Sequence, residues 1–319
     1  MSALLDMQAV NVAIGTAALL DGISLRLERG QILGLVGESG SGKSLTALAA
    51  MGLLPLIGGR VTGGSIRFDG QDMAAMTEGQ RRALRGRRIG FVTQNPMTAL
   101  DPVQRIGAQI DIVSRLHLGL SKAAARARTL DLLTQLRIPE ATTVAESWPH
   151  QLSGGMKQRI VIAMALAGDP DLIIADEPTT ALDVTVQAQI IQILGQMVRD
   201  RGLALLLITH DMGVVAQICD RVAVLYAGRL AEEGPVDPIF AAPAHPYTRA
   251  LIGCIPQEGM ASGALRGIPG AVPGALALPP GCRFHPRCPR ATPLCAATVP
   301  PFAPFGAGGV ACHHAGPQP

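Results

Sequence analysis

Lys43 and Ser44 close the run Gly37-Glu38-Ser39-Gly40-Ser41-Gly42-Lys43-Ser44, a G-x-x-x-x-G-K-S pattern suited to polyphosphate. Its glycines let backbone N–H groups curl around phosphate oxygens, and a helix starting just after adds partial positive charge. Lys43 then reaches the β- and γ-phosphates, and Ser44 ligates magnesium. Much later, Asp176-Glu177 ends the apolar run Leu172-Ile173-Ile174-Ala175. Asp176 is placed to hold magnesium and Glu177 to act as general base toward an attacking water. Alone, an Asp-Glu pair often only caps a helix; the phosphate loop gives this one its chemical sense. His210 follows the apolar run Leu205 to Ile208 and is placed to bond a γ-phosphate. Gln94, ending another apolar run, is placed to touch the magnesium shell.

These residues need strands that end where they begin. Residues 21 to 36 alternate and then become continuously apolar, which predicts a strand, a turn at Arg29-Gly30 and a buried strand feeding the loop. Ser44 to Leu54 has helical spacing that stops before Pro55, with a turn at Gly58-Gly59. Further strands are expected near Ser65 to Phe68, Ile89 to Thr93, Leu172 to Ala175, Ala204 to Thr209 and Val222 to Tyr226. Gln94 to Ala167 has a helical pattern with a breaker at Pro139. Strands alternating with helices predict an α/β fold around a mostly parallel sheet, with that helical stretch inserted.

Leu152-Ser153-Gly154-Gly155-Met156-Lys157-Gln158-Arg159 lies between the phosphate loop and the acidic strand. With this order of motifs the chain resembles the ATP-binding cassette (ABC) ATPases. The resemblance implies a RecA-like core with an antiparallel edge, ATP and Mg2+ as ligands, and catalytic roles for Glu177, His210 and Gln94. Magnesium would be held by Ser44, Gln94 and Asp176, and nucleotide by Gly37, Ser39, Gly40, Ser41, Gly42, Lys43, Ser44, Leu45 and Ile14. Ser153, Gly154, Gly155 and Gln158 would serve the nucleotide of a facing subunit, and Asp183 in Ala181-Leu182-Asp183 would cross the same interface. Two positions depart from the family's pattern. Leu45 stands where threonine is common, and Thr46 comes one place too late. Ile14 stands where an aromatic residue usually stacks on adenine, which leaves ATP-versus-GTP selectivity open.

Composition narrows the partners. The 319 residues suffice to bury about three quarters of the unfolded surface. Hydrophobic residues make up 48% and mean hydropathy is +0.31, yet no apolar run approaches the ~20 residues of a membrane span. No secretory leader is evident. A chain that docks on something apolar from the cytosolic side fits these facts. Net charge is +3, Trp148 is the only tryptophan and there are two tyrosines, so nucleic acid is a poor candidate. The basic run Arg81, Arg82, Arg85, Arg87 and Arg88 is expected to be a solvated helix face leading into a strand.

Beyond about Cys254 glycine and proline dominate and periodicity vanishes, so residues 1–253 are expected to be the ATPase domain, with a helical subdomain at about 95–167, and 254–319 an irregular extension. Something other than a hydrophobic core is expected to hold that extension. Pro149-His150-Gln151 before the Ser153 segment, His245-Pro246-Tyr247-Thr248-Arg249-Ala250-Leu251, Ile268-Pro269-Gly270 and the Cys282-to-Cys288 block together resemble the oligopeptide and dipeptide importer branch. That implies an ATPase peripheral to the cytoplasmic face of a bacterial inner membrane. It would be paired with a paralogous ATPase beneath two membrane permeases fed by an external binding protein. Relatives carry nickel and other small solutes, so the cargo is open.

Cys282, Cys288, Cys295 and Cys312 cluster in the extension. In a reducing compartment such clusters more often bind metal than form disulfides, and their spacing lacks zinc's usual C-x₂-C knuckles. The resemblance implies a 4Fe–4S cluster on these four positions. Zinc stays open because of His285, His313 and His314, and so do free thiols. Cys219 and Cys254 are isolated and expected to pack as small apolar residues.

Overall fold

Period-two burial shapes the N-terminal strands of the computed structural model, which describes residues 3–179, 182–256 and 267–316. In the strand Ala17–Leu27, Ile23, Leu25 and Leu27 point inward while Ser24 and Arg26 face solvent. It pairs antiparallel with Leu5–Ile14, which pairs in turn with Gly59–Phe68. A short strand, Gln71–Asp72, completes this four-stranded sheet. The chain divides into two units, one made of Met1–Leu27, Leu33–Ala74 and Ile208–Pro319, the other of Glu28–Ile32 and Ala75–Leu207.

The strand Ile32–Val36, in the first unit from Leu33 onward, is buried at every residue and runs parallel to Arg221–Tyr226. Burial from both faces is what its uninterrupted apolar run foretells, each large side chain contributing roughly 1.5–3 kcal/mol. Arg221–Tyr226 then pairs antiparallel with Arg229–Pro235. The helix after the phosphate loop spans Lys43–Ala50, shorter than the expected run to Leu54. Pro55 instead sits in the first turn of a 3₁₀ helix, Leu54–Ile57, where its missing N–H costs nothing. Gly58 ends that turn in the left-handed region and the next strand starts at Gly59.

The extension is more regular than its composition suggests. Its strand Gly308–Val310 pairs antiparallel with both Arg229–Pro235 and Ala303–Phe305. The expectation that no hydrophobic core holds it is corrected. Phe284 is 2% exposed within an apolar cluster that includes Val224, Tyr226 and Tyr247. The Phe284 ring stands edge-on to Tyr226 at 5.1 Å and tilted to Tyr247 at 5.2 Å. Aromatic residues scattered among glycines and prolines carry no periodic signal, which is why the sequence hid this contact.

In the second unit, Ile89–Val92 runs parallel to Leu172–Asp176. The stretch between them is helical as expected, with helices Ile106–Leu118, Lys122–Gln135, Ala141–Glu146 and Gly154–Ala167. The break at Pro139 leaves Glu140 at φ 46°. The basic run is a surface feature, as expected: Arg81 and Arg85 pair with Glu78 on one short helix, and Arg88 pairs with Asp171. Among the described residues no helix is long and apolar enough to cross a membrane.

Candidate functional site

The phosphate loop is a backbone cradle that tolerates no side chain at two of its glycines. A Cβ on Gly37, at φ 154°, would sit 2.2 Å from the Leu225 carbonyl oxygen. At Gly42, φ 107°, it would meet a Leu20 methyl at 2.5 Å. Lys43 is buried, and its Nζ donates to the carbonyls of Gly37 at 2.7 Å and Glu38 at 3.1 Å. The Ser41 Oγ is buried without a hydrogen-bond partner among the described residues, an orphan that an anionic ligand would satisfy. These features fit a polyphosphate.

The two departures are visible in the same unit. The buried Thr46 hydroxyl turns back to the Gly42 carbonyl at 3.1 Å, so it serves the helix. Ser44 is exposed at the helix start while Leu45 is half-buried. Ile14 ends its strand opposite Ala17 and Gly59. His210 is exposed directly after the strand Ala204–Thr209.

In the second unit, Asp176 ends its strand and Glu177 follows at φ 45°, a conformation that costs a non-glycine residue roughly 1–3 kcal/mol. Gln94, just past the strand Ile89–Val92, donates from Nε2 to Glu177 Oε2 at 3.0 Å. The structure thus joins two of the residues expected to do catalysis. Such a bond fixes the orientation of the Glu177 carboxylate.

Ser153 caps the helix Gly154–Ala167, its Oγ accepting the Met156 N–H at 3.3 Å. Ser153 and Gly154 are exposed. Gly155 is fixed by packing, since a Cβ there would lie 2.7 Å from a Val186 methyl. Gln158 differs from the expectation that it faces a second subunit. It is 1% exposed, turned inward on the helix, with its Nε2 lacking a partner among the described residues. Asp183 caps the helix Val184–Arg201 by accepting the Val186 N–H at 2.9 Å. Thr180 and Ala181 lie outside the described residues.

The four clustered cysteines line one small cavity together with His285, His313 and His314. Burial pushes the thiols of Cys282, Cys288 and Cys312 above their ordinary range. The His314 N–H donates to the Cys312 sulfur at 3.3 Å, and the Cys282 N–H to the Cys295 carbonyl at 2.8 Å. Four thiols in one pocket are a donor set that fits a thiophilic metal or cluster. Yet among the described residues no three His, Cys, Asp or Glu side chains stand in a metal-holding arrangement. Cys219 packs against the Tyr247 cluster, and the Cys254 thiol donates to the Ala250 carbonyl one turn back.

Sequence reading missed how the extension reaches the loop. Arg287 pairs with Glu38, 249 residues earlier, and the Glu38 N–H donates to the Tyr247 hydroxyl at 2.9 Å. His245 sets this up by capping the helix Pro246–Ile252, its Nδ1 accepting the Tyr247 N–H. Burial lowers the His245 pKa to about 4, which keeps that ring neutral and able to accept. The His245-Pro-Tyr247 run was visible in the sequence, but nothing in its spacing pointed at residue 38.

The chain is similar to known proteins over most of its length. The family model "ABC transporter" matches residues 20–180, and "Oligopeptide/dipeptide transporter, C-terminal region" matches 231–295. The chain is similar to the dipeptide transport ATP-binding protein DppD of Escherichia coli K12, 45% identical over 302 residues, 93% of this chain and 92% of that one. It is similar to the oligopeptide transport ATP-binding protein OppD of Salmonella typhimurium, 46% identical over 294 residues, 92% of this chain and 87% of the other. Among solved structures, a dimeric bacterial ABC transporter cassette, MJ0796, superposes with a TM-score of 0.64 at 28% identity, covering 73% of this chain and 98% of that one. The cbiO1 protein of Clostridium perfringens gives 0.66 at 27%, covering 76% and 92%.

Proposed function

The chain belongs to the ABC transporter family, in its oligopeptide/dipeptide branch, and from that premise we propose that it hydrolyses ATP to power import of di- or oligopeptides across a bacterial inner membrane. The observation that carries the reading is the coexistence, on one chain, of the buried Lys43 loop and the oligopeptide/dipeptide C-terminal block. Residues 1–253 are the ATPase domain, with its helical subdomain at about 95–167, and 254–319 the extension.

In this reading Lys43 and the loop N–H groups bind the β- and γ-phosphates, while Ser44, Gln94 and Asp176 hold magnesium. Glu177 takes a proton from the attacking water, with Gln94 fixing the carboxylate's orientation. His210 senses the γ-phosphate. Ser153, Gly154 and Gly155 offer the N-terminus of their helix to the nucleotide of a facing cassette, and Asp183 lies at the same interface. That exposed helix start supports a head-to-tail pair closed by ATP. The facing cassette is a paralogue, and the pair sits peripherally on the cytoplasmic face beneath two permeases served by an external binding protein. Structure determination of the assembly with a non-hydrolysable ATP analogue tests the pairing. Ser153 should lie against the partner's terminal phosphate; a Ser153 backbone remote from every γ-phosphate overturns it.

The four cysteines are assigned to a 4Fe–4S cluster, with zinc the competing occupant. Their shared cavity supports this, and the group would staple a Gly/Pro-rich extension whose own core is small. Iron, sulfide and zinc content of anaerobically purified protein decides between the two.

A further inference from the structure

Arg287 is buried, with its side chain 6% exposed, and all five of its N–H groups are used. Two go to Glu38: Nη1 to Oε2 at 2.7 Å and Nη2 to Oε1 at 3.0 Å. The others bond the Tyr226 hydroxyl at 3.2 Å and the carbonyls of Ile268 at 3.2 Å and Pro269 at 2.7 Å. A planar fork meeting a carboxylate in this way fixes position as well as charge. Glu38 is the second residue of the phosphate loop, and its N–H is held at the same time by the Tyr247 hydroxyl.

A second arginine between Cys282 and Cys288 reaches the loop's other side. Arg283 is 9% exposed and donates to the Ala227 carbonyl and to Asp21 Oδ2. The next residue, Gly228, donates its N–H to the Ser41 carbonyl at 2.8 Å. The interval between Cys282 and Cys288 therefore touches the phosphate loop directly at Glu38 and through one hairpin turn at Ser41. Neither contact blocks the loop's ligand face, because the Lys43 ammonium and the Ser41 hydroxyl are engaged by neither arginine.

We propose that Arg287 is a positioning residue for nucleotide binding: it holds the phosphate loop in its binding shape through Glu38, so that the cysteine-bearing extension sets the ATP affinity of this subunit. A loop that must be ordered by its ligand binds more weakly than one already in shape, and Arg287 removes that cost before ATP arrives. The coupling is reciprocal, so ATP must in turn steady the 282–288 interval.

The test is a double-mutant cycle in the full chain, with ATP dissociation constants measured by equilibrium binding. Arg287→Gln and Glu38→Gln should each weaken ATP about tenfold, and the double variant should be no weaker than either single one. In the assembled transporter KM should rise while kcat stays nearly constant. Arg287→Lys should rescue only in part, since a point charge cannot reproduce the fork. Hydrogen exchange in the 282–288 peptide should slow on adding ATP in the native chain and not in Arg287→Gln. Unchanged affinity in well-folded Arg287→Gln overturns the proposal. So do additive losses in the cycle, or exchange that responds to ATP equally in both proteins. If Arg287→Gln does not fold, Glu38→Gln alone decides by the same affinity and exchange measurements.

Discussion

The Gln94 amide donates to the Glu177 carboxylate at 3.0 Å, tying the second residue past the strand Ile89–Val92 to the residue after the strand Leu172–Asp176. Their strands are parallel neighbours, with Val92 opposite Ala175. The two side chains therefore emerge side by side at the same strand ends, where parallel sheets place their chemistry.

Glu177→Gln should keep ATP binding and lose hydrolysis. Removing a general base costs about 10²–10⁴ in rate, and the neutral amide leaves bound nucleotide undisturbed. Phosphate release and equilibrium ATP binding, measured on the same preparation, check both halves. Turnover at near-native rate would remove Glu177 from its role.

Gln94→Ala should lower kcat by a smaller factor, about tenfold. It deletes one charge-assisted hydrogen bond, worth roughly 1.5–3 kcal/mol where buried and less where exposed as here. Glu177 then loses its fixed orientation. A Gln94→Ala variant as inactive as Glu177→Gln would mean that Gln94 does more than orient the base.

Gly37→Ala should abolish nucleotide binding while the strands persist. Its Cβ would collide with the Leu225 carbonyl at 2.2 Å and the Ser41 Oγ at 2.7 Å, and backbone cannot give way as a side-chain tip can. Circular dichroism unchanged with ATP affinity lost is the expected pair of results. Native affinity would show that the cradle shifts more freely than its packing implies.

Phe284→Ala should destabilise the first unit by about 3–5 kcal/mol, the usual cost of emptying a buried aromatic site. Its ring packs on Tyr226 and Tyr247, so the loss also frees the extension. Denaturant midpoints and limited proteolysis near residues 267–316 read the two effects. A proteolysis pattern identical to the native chain would show that the strand Gly308–Val310 anchors the extension alone.

Much of this was legible because it is local. The run Ile32 to Val36 feeding Gly37, the apolar strand before Asp176, and Ser153 opening a helix each depend on residues adjacent in sequence. What stayed hidden is pairing across distance. Arg287 and Glu38 are both visible as charged residues, but no period links positions 249 apart. Phe284 sits in a Gly/Pro-rich tail whose aromatic residues follow no period, so its cluster around Tyr247 gave no signal in the sequence. Gln158 was misplaced for a related reason. Its helix is apolar on several faces, so the spacing from Ser153 does not reveal which side is buried. The helix after the loop ended early because Pro55 suits a first turn as well as it ends a last one.

The most direct test is ATP-dependent uptake of a labelled dipeptide into proteoliposomes holding this subunit with its membrane partners. Uptake should require ATP, vanish with Glu177→Gln in this chain, and proceed with ATP hydrolysis in step. Uptake that continues undiminished with Glu177→Gln, or hydrolysis that never responds to the membrane subunits, would contradict the account.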